Sequence, residues 1–384
     1  MFYFAALVAA SAALTGCSSD DDLSAAQPAV SKGYPMYVSA SAGDETRGKD
    51  LTGDTFGAFT MYSTIPTTKN SKWATGIAFE KSEGSWGAGT EDVSFPDNTN
   101  TYTFYGVSDA GNIVKENNNP VIGSVTPESF NFTYQIPTVY ADQKDLLVGK
   151  TTGSGSDGKV NFKGDNKFTH ALAKIEEVKI YCNIGKVSNA GDKQAYRFRI
   201  NGIRLGGLKT VGTYTFGSSW DELDGEGEFE IPLTASGLTF GYMGFQPGEN
   251  SSAVTLPLAD NGLYLIPQTA VGAIDNEGSG YKVTGPYAEL DAQVFFYSDM
   301  TDLTSGGAYR VGSSLYSGFD WNEESSDAVG FGKIRVPLKF TITEGNGYTL
   351  ILDISKAVIY ENEGSVDGSA VTESIFSGAT IVVG

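Results

Sequence analysis

After Cys17 the chain is written in short runs that alternate apolar with polar residues, and a period of two buries one face only as a β-strand. Tyr102-Thr103-Phe104-Tyr105, Phe130-Asn131-Phe132-Thr133-Tyr134, Val160-Asn161-Phe162, Tyr196-Arg197-Phe198-Arg199-Ile200 and Ile334-Arg335-Val336 are such runs. Each turns one row of side chains to a core and the other to water. Clusters of Gly, Asn, Asp and Pro separate them, with glycine supplying 48 of the 384 residues; that punctuation makes tight turns between short strands. No helical period is sustained, and no repeat of fixed length recurs. The fold class is therefore all-β, as sandwiches or barrels. The most polar break, Thr151 to Lys159, is the best place for an exposed loop or a domain boundary. It divides the body into residues 33–158 and 159–384. Further loops are expected at 97–100, 113–119, 221–227 and 276–280.

Charge and sulfur narrow the function. Lys and Arg total 26 against 46 Asp and Glu, a formal net charge of −20. Such a field repels phosphate backbones, which argues against nucleic acid as a partner, and it keeps densely packed copies apart. Two cysteines, Cys17 and Cys182, rule out a disulfide scaffold and a Cys-based zinc site. His170, the single histidine, is the only candidate base for a triad and reads as a packed or inter-domain residue. No metal site, no cofactor and no enzymatic activity are expected. A glycosidase on paired carboxylates is the one catalytic class left open.

Several stretches imitate sites. Gly153 to Val160 almost spells a phosphate loop, but Val160 stands where the magnesium-binding hydroxyl belongs and a strand pattern follows in place of a helix. Asp221 to Glu228 is acidic and glycine-rich like a calcium loop, yet Leu223 replaces a ligand; a solvated hairpin loop is the expected structure. Cys182 reads as a core thiol. Trp73, Trp86, Trp220 and Trp321 could line a glycan platform, but scattered tryptophans in sandwiches usually fill cores.

Residues 1–16 read as an address. Phe2 to Leu14 is apolar but too short to span a bilayer, and Leu14-Thr15-Gly16-Cys17 follows like a lipobox, in which Cys17 is lipidated. No Lys or Arg precedes Phe2, so the true start is expected upstream. Residues 17–32 are a tether opened by Ser18-Ser19-Asp20-Asp21-Asp22, similar to the surface-export signals of Bacteroidetes lipoproteins.

Five segments then occur in order: Thr46-Arg47 with Phe56-Gly57-Ala58-Phe59-Thr60-Met61-Tyr62; Asp142-Gln143-Lys144-Asp145-Leu146-Leu147-Val148-Gly149; Phe168-Thr169-His170-Ala171-Leu172-Ala173-Lys174-Ile175; Leu263-Tyr264-Leu265-Ile266-Pro267-Gln268; and Gly345-Asn346-Gly347-Tyr348-Thr349-Leu350-Ile351-Leu352. Together they resemble the fimbrillin family, the pilins of type V pili in Bacteroidales. The resemblance implies two β-sandwich domains of transthyretin-like topology, the third segment opening the second. It also implies export as an outer-membrane lipoprotein, removal of the N-terminal segment by an Arg-specific protease, and polymerisation into a fimbrium by strand donation. The chain would then be a stalk, anchor or tip. Its partners would be other pilus subunits, outer-membrane lipid through Cys17, and a host receptor or glycan.

Both ends offer a strand for that work. Tyr34, Met36, Val38, Ala40 and Ala42 share one face of an extended segment that runs into the polar stretch Gly43 to Gly48, where a protease reaches the bond between Arg47 and Gly48. An ordinary first strand with an uncut loop is the competing reading. At the other end, Ile375, Ala379, Ile381 and Val383 share a face within residues 374–383, interrupted by Ser377. That strand is either donated or folded onto its own domain. A different class, a monomeric surface lipoprotein that binds glycans or host proteins, fits the same composition.

Overall fold

The computed structural model describes residues 33–42, 56–68, 71–89, 91, 93–181, 195–234, 238–240, 254–256, 258, 262–276, 281–297, 332–353, 358–360 and 380–383. Nearly every regular element among them is a strand, as the period of two requires. In chain order the principal ones are β1 (Tyr37–Ala40), β2 (Ala58–Ser63), β3 (Ile77–Ser82), β4 (Ser85–Gly87), β5 (Thr101–Val107) and β6 (Asn131–Gln135). Next come β7 (Leu147–Ser154), β8 (Lys159–Phe162), β9 (Thr169–His170), β10 (Ala173–Tyr181), β11 (Ala195–Thr215) and β12 (Ser219–Glu230). The last are β13 (Leu263–Leu265), β14 (Tyr287–Tyr297), β15 (Gly332–Pro337), β16 (Gly347–Asp353), β17 (Val358–Tyr360) and β18 (Thr380–Val383).

The first sheet has the order β1-β8-β7-β5-β2-β3-β4, with β9 added on β7. Its two end strands, β1 and β4, approach within 8 Å, Cα to Cα, so the sheet rolls around its inner face. That face carries Phe59, Met61, Phe79, Phe104, Val160 and Phe162, all buried with Phe56, Trp73 and Phe168. The opposite face carries Tyr62, Tyr105 and Val107, which belong to a second core. Coverage on both sides explains why Tyr102 through Val107 are all buried although the sequence alternates.

The second sheet runs β6-β11-β14-β15-β17, with β12 on β11; the third centres on β10 and β16, with β18 at its edge and β13 beside β10. Ile203, Leu205 and Leu290 from one and Ile175, Val178, Ile180, Leu350 and Leu352 from the other meet in the second core. A β-bulge between Ile175 and Glu177 changes the parity of β10, so that Ala173 and Ile175 before it and Val178 and Ile180 after it are all buried. Tyr62 and Tyr105 join this core through Phe130 and Phe216, at ring-centroid distances of 4.7 Å for Tyr62–Phe130 and 4.8 Å for Tyr105–Phe216.

Two expectations fall on described residues. Residues 151–159 form the hairpin between β7 and β8, with Ser154 opposite Lys159, so a line at 158/159 would pass through one sheet. Gly158 has φ +62, and the glycine turn there closes a hairpin at the place the sequence offered for an exposed loop or a domain boundary. The chain contributes to both cores before this point; Phe168 is the last residue of the first cluster, and from Ala171 on the clustered residues belong to the second. The acidic stretch 221–228 is part of strand β12, with Asp224, Glu226, Glu228 and Glu230 exposed on alternate positions. Its charges face solvent along an edge strand, a placement that discourages pairing with other chains.

One contact in the first core is intolerant. Gly106 and Gly149 are register partners on β5 and β7, and the Phe168 ring lies across both. A Cβ at Gly106 would overlap that ring, whereas at the exposed Gly111 it meets nothing within 4 Å. Gly106→Ala is expected to destabilise the protein by about 1–3 kcal/mol in urea unfolding, through overpacking. Gly111→Ala is expected to change stability by less than about 0.5 kcal/mol; equal losses would contradict this packing.

Candidate functional site

A strand at a sheet edge is bonded on one side only, and the N-terminal segment occupies such an edge. β1 lies parallel to β8, with Tyr37 beside Lys159, Val38 beside Val160, Ser39 beside Asn161 and Ala40 beside Phe162. Tyr37 N–H donates to the Gly158 carbonyl at 2.8 Å, and Ser41 N–H to the Phe162 carbonyl at 3.0 Å. Phe168 N–H donates to the Ser41 carbonyl at 3.0 Å, and Ser39 Oγ to Asn161 Oδ1 at 2.8 Å. On the inward face Ala40 and Ala42 are buried, and Met36 and Val38 are half-buried against the first core. Tyr37 points outward, 69% exposed.

Tyr34 departs from the expected face and is 40% exposed. Tyr34 and Pro35 pair antiparallel with Phe95 and Ser94, because β8 has already ended at the Gly158 turn and offers them no partner.

The end of this strand touches residues 168–175, the third segment of the sequence pattern, on which the described residues of the other four converge. Phe168 bridges to Ala42 and packs on Phe56 at 4.7 Å and Phe59 at 5.1 Å. Thr169 and His170 pair with Val148 and Leu147. Ala173, Lys174 and Ile175 pair with Leu265, Tyr264 and Leu263 on one side, and Lys174 and Ile175 with Gly347 and Tyr348 on the other. Trp220 Nε1 donates to the Ala171 carbonyl at 2.6 Å.

His170 is part of this crossing and faces no solvent. Its Nδ1 lies 2.6 Å from Asp145 Oδ2, with side chains 4% and 2% exposed. Asp145 was legible only as a member of the second segment; the register Leu147 opposite His170 is what brings the two together. Nearby, the Tyr134 hydroxyl donates to Asp109 Oδ2 at 2.9 Å. Burial pushes the Tyr134 hydroxyl pKa well above its ordinary value, with the Asp109 and Asp145 charges adding to the rise. Burial also raises the Asp109 carboxyl, against the hydrogen bonds from Asn112 and Tyr134. These groups form a buried polar seam beside the crossing.

At the other end, β18 pairs antiparallel with β16, Ile381 opposite Leu350 and Val383 opposite Tyr348, as the edge strand of the third sheet. Cys17, Arg47, Gly48, Ile375 and Ala379 lie outside the described residues.

A family model described as fimbrillin-like matches residues 46–315. Among solved structures, a fimbrial protein from Bacteroides vulgatus is 15% identical, covering 85% of this chain and 98% of that one at a TM-score of 0.44. A fimbrial assembly protein from Parabacteroides distasonis is 11% identical, covering 85% and 94% at a TM-score of 0.33. No curated protein matches the chain.

Removing one member of the Asp145–His170 pair leaves the other buried without it. Asp145→Ala is expected to cost about 1–3 kcal/mol in urea unfolding, the cost of a buried hydrogen-bonding group left without its partner, whereas Asp157→Ala, on the exposed hairpin turn, should cost less than about 0.5 kcal/mol. A neutral Asp145→Ala would mean the seam does not hold the crossing.

Proposed function

The chain belongs to the fimbrillin-like family, and on that premise we propose that it is a structural or adhesive subunit of a surface fimbrium, assembled by strand complementation. The observation that carries the reading is the position of residues 34–42. They complete a rolled sheet from its edge, are bonded on one side, and end just before the polar stretch that contains Arg47. Taking them away opens a slot between β8 and β4, floored by the first core. The unpaired groups left behind, the Gly158 and Phe162 carbonyls and the Phe168 N–H, are those an added strand satisfies. No turnover is involved, and no cofactor or metal is called for.

The rest of the reading follows from the same premise. Cys17 anchors the precursor in outer-membrane lipid, cleavage after Arg47 frees the slot, and other subunits are the partners. The body divides into two domains that meet at residues 168–173, where the chain leaves the first core for the last time.

Digestion of the full chain by an Arg-specific protease is expected to cut after Arg47 and convert monomers to ladders that survive heating in detergent; Arg47→Ala should stay monomeric. A cut chain that stays a folded monomer and binds glycans on its own would favour the solitary surface-binding alternative.

A further inference from the structure

The long strand β11 changes partner partway along one side. β12 pairs with it at Arg204 and Leu205, where β14 is also bonded, and again from Val211 to Thr215, where β6 is bonded. β14 and β6 therefore follow one another along the side of β11 that β12 leaves open. The pairs with β14 end at Gly206 and those with β6 begin at Val211. Between them Gly207 has φ +68, and the register with β12 shifts between Leu205 and Leu208. A change of partner, a bulge and a left-handed glycine thus fall on the same few residues.

Glutamine side chains stand where the strand is missing. Gln268, itself buried, accepts from the Lys209 N–H through Oε1 at 2.8 Å. Its Nε2 donates to the Lys209 carbonyl at 3.2 Å and to the Ile266 carbonyl at 3.0 Å. Bonds to both the N–H and the C=O of one residue are what a neighbouring strand would supply. Gln143 repeats the arrangement. Its Oε1 accepts from the Tyr264 N–H at 2.9 Å, and its Nε2 donates to the Tyr264 carbonyl at 3.1 Å and the Pro137 carbonyl at 2.8 Å. Residues 264–268 are therefore a strap, tied at one end to the connection that follows β6 and at the other to β11.

We propose that residues 206–210 are a joint between the part of β11 bonded to β14 and the part bonded to β6, and that Gln143 and Gln268 are the clasps that hold it at one angle and open together. A turn at the joint moves β6 and its connection against the strap, so neither clasp opens alone. Both glutamines are positioning residues, and the joint lies within one chain, independent of strand complementation. Glycines at 206 and 207 let the backbone absorb the change of direction.

Native-state hydrogen exchange on the full chain reads the joint. The Lys209 and Tyr264 amides are expected to exchange through one shared opening, at lower free energy than global unfolding. The Ile136 amide, bonded to the Thr210 carbonyl at 2.9 Å and moving with β6, should stay protected in that opening. Gln268→Glu keeps the side-chain shape and removes both donors. It should speed exchange about tenfold at Lys209, as expected for one lost buried hydrogen bond, and by a similar factor at Tyr264, whose own clasp is untouched. Acceleration at Lys209 alone would make Gln268 a local plug and overturn the joint. Exchange of both amides only by global unfolding in the unsubstituted chain would also overturn it, and that measurement stands even if Gln268→Glu does not fold. Spin labels at the exposed positions of Thr152→Cys and Lys339→Cys, in chains with Cys17→Ser and Cys182→Ser, read the angle. Their distance distribution should widen in Gln268→Glu and not in Thr269→Ala; the same width in both would contradict a clasp.

Discussion

The structure turns on eight residues, 168–175, where the chain leaves the first core for the last time. Phe168 plugs the rolled sheet, His170 is buried against Asp145, and Ala173 begins the central strand of the third sheet. A chain crossing between cores must satisfy its backbone where no water reaches it. Here it does so at each step: Phe168 N–H to Ser41, Ala171 N–H to Leu146, and the Ala171 carbonyl accepting from Trp220. The N-terminal strand is bonded to the first residue of this crossing, and β18 is two strands away from its far end.

That arrangement separates strands bonded on both sides from strands bonded on one. Strands β5, β7 and β10 are bonded on both sides, and removing any of them would open a sheet in its middle. Among the described residues, β1 and β18 are each bonded on one side. A third edge, β12, is lined with Asp224, Glu226, Glu228 and Glu230, whose charges oppose pairing with another acidic chain. An assembly by strand exchange needs this asymmetry between open and defended edges.

Much of the fold was legible because alternation and turn residues act locally. The all-β class, the inward face of residues 36–42, and the failure of the phosphate-loop lookalike all follow from neighbours in sequence. What was not legible depends on partners far along the chain. The buried Tyr102-to-Val107 run looked half-exposed, because nothing local announces that a second core covers its outer face. The glycine-rich stretch at 151–159 read as either an exposed loop or a domain boundary, since glycine serves a hairpin turn as well as a break between domains. The acidic stretch at 221–228 looked like a loop, because charge is a poor mark of a loop when a strand lies at an edge. Asp145 and His170 each sat inside a recognised segment, yet their pairing needed the register of β7 against β9.

The central claim is that residues 34–42 are a replaceable part of a sheet that is otherwise whole. Hydrogen exchange at the Phe168 amide reads it directly, because that N–H is bonded to the Ser41 carbonyl. The account predicts strong protection in the uncut chain, fast exchange after cleavage at Arg47 in dilute monomer with the remaining core amides still protected, and protection regained in polymer. Loss of protection throughout the first core on cleavage would show that the segment is an integral strand, and would contradict the account.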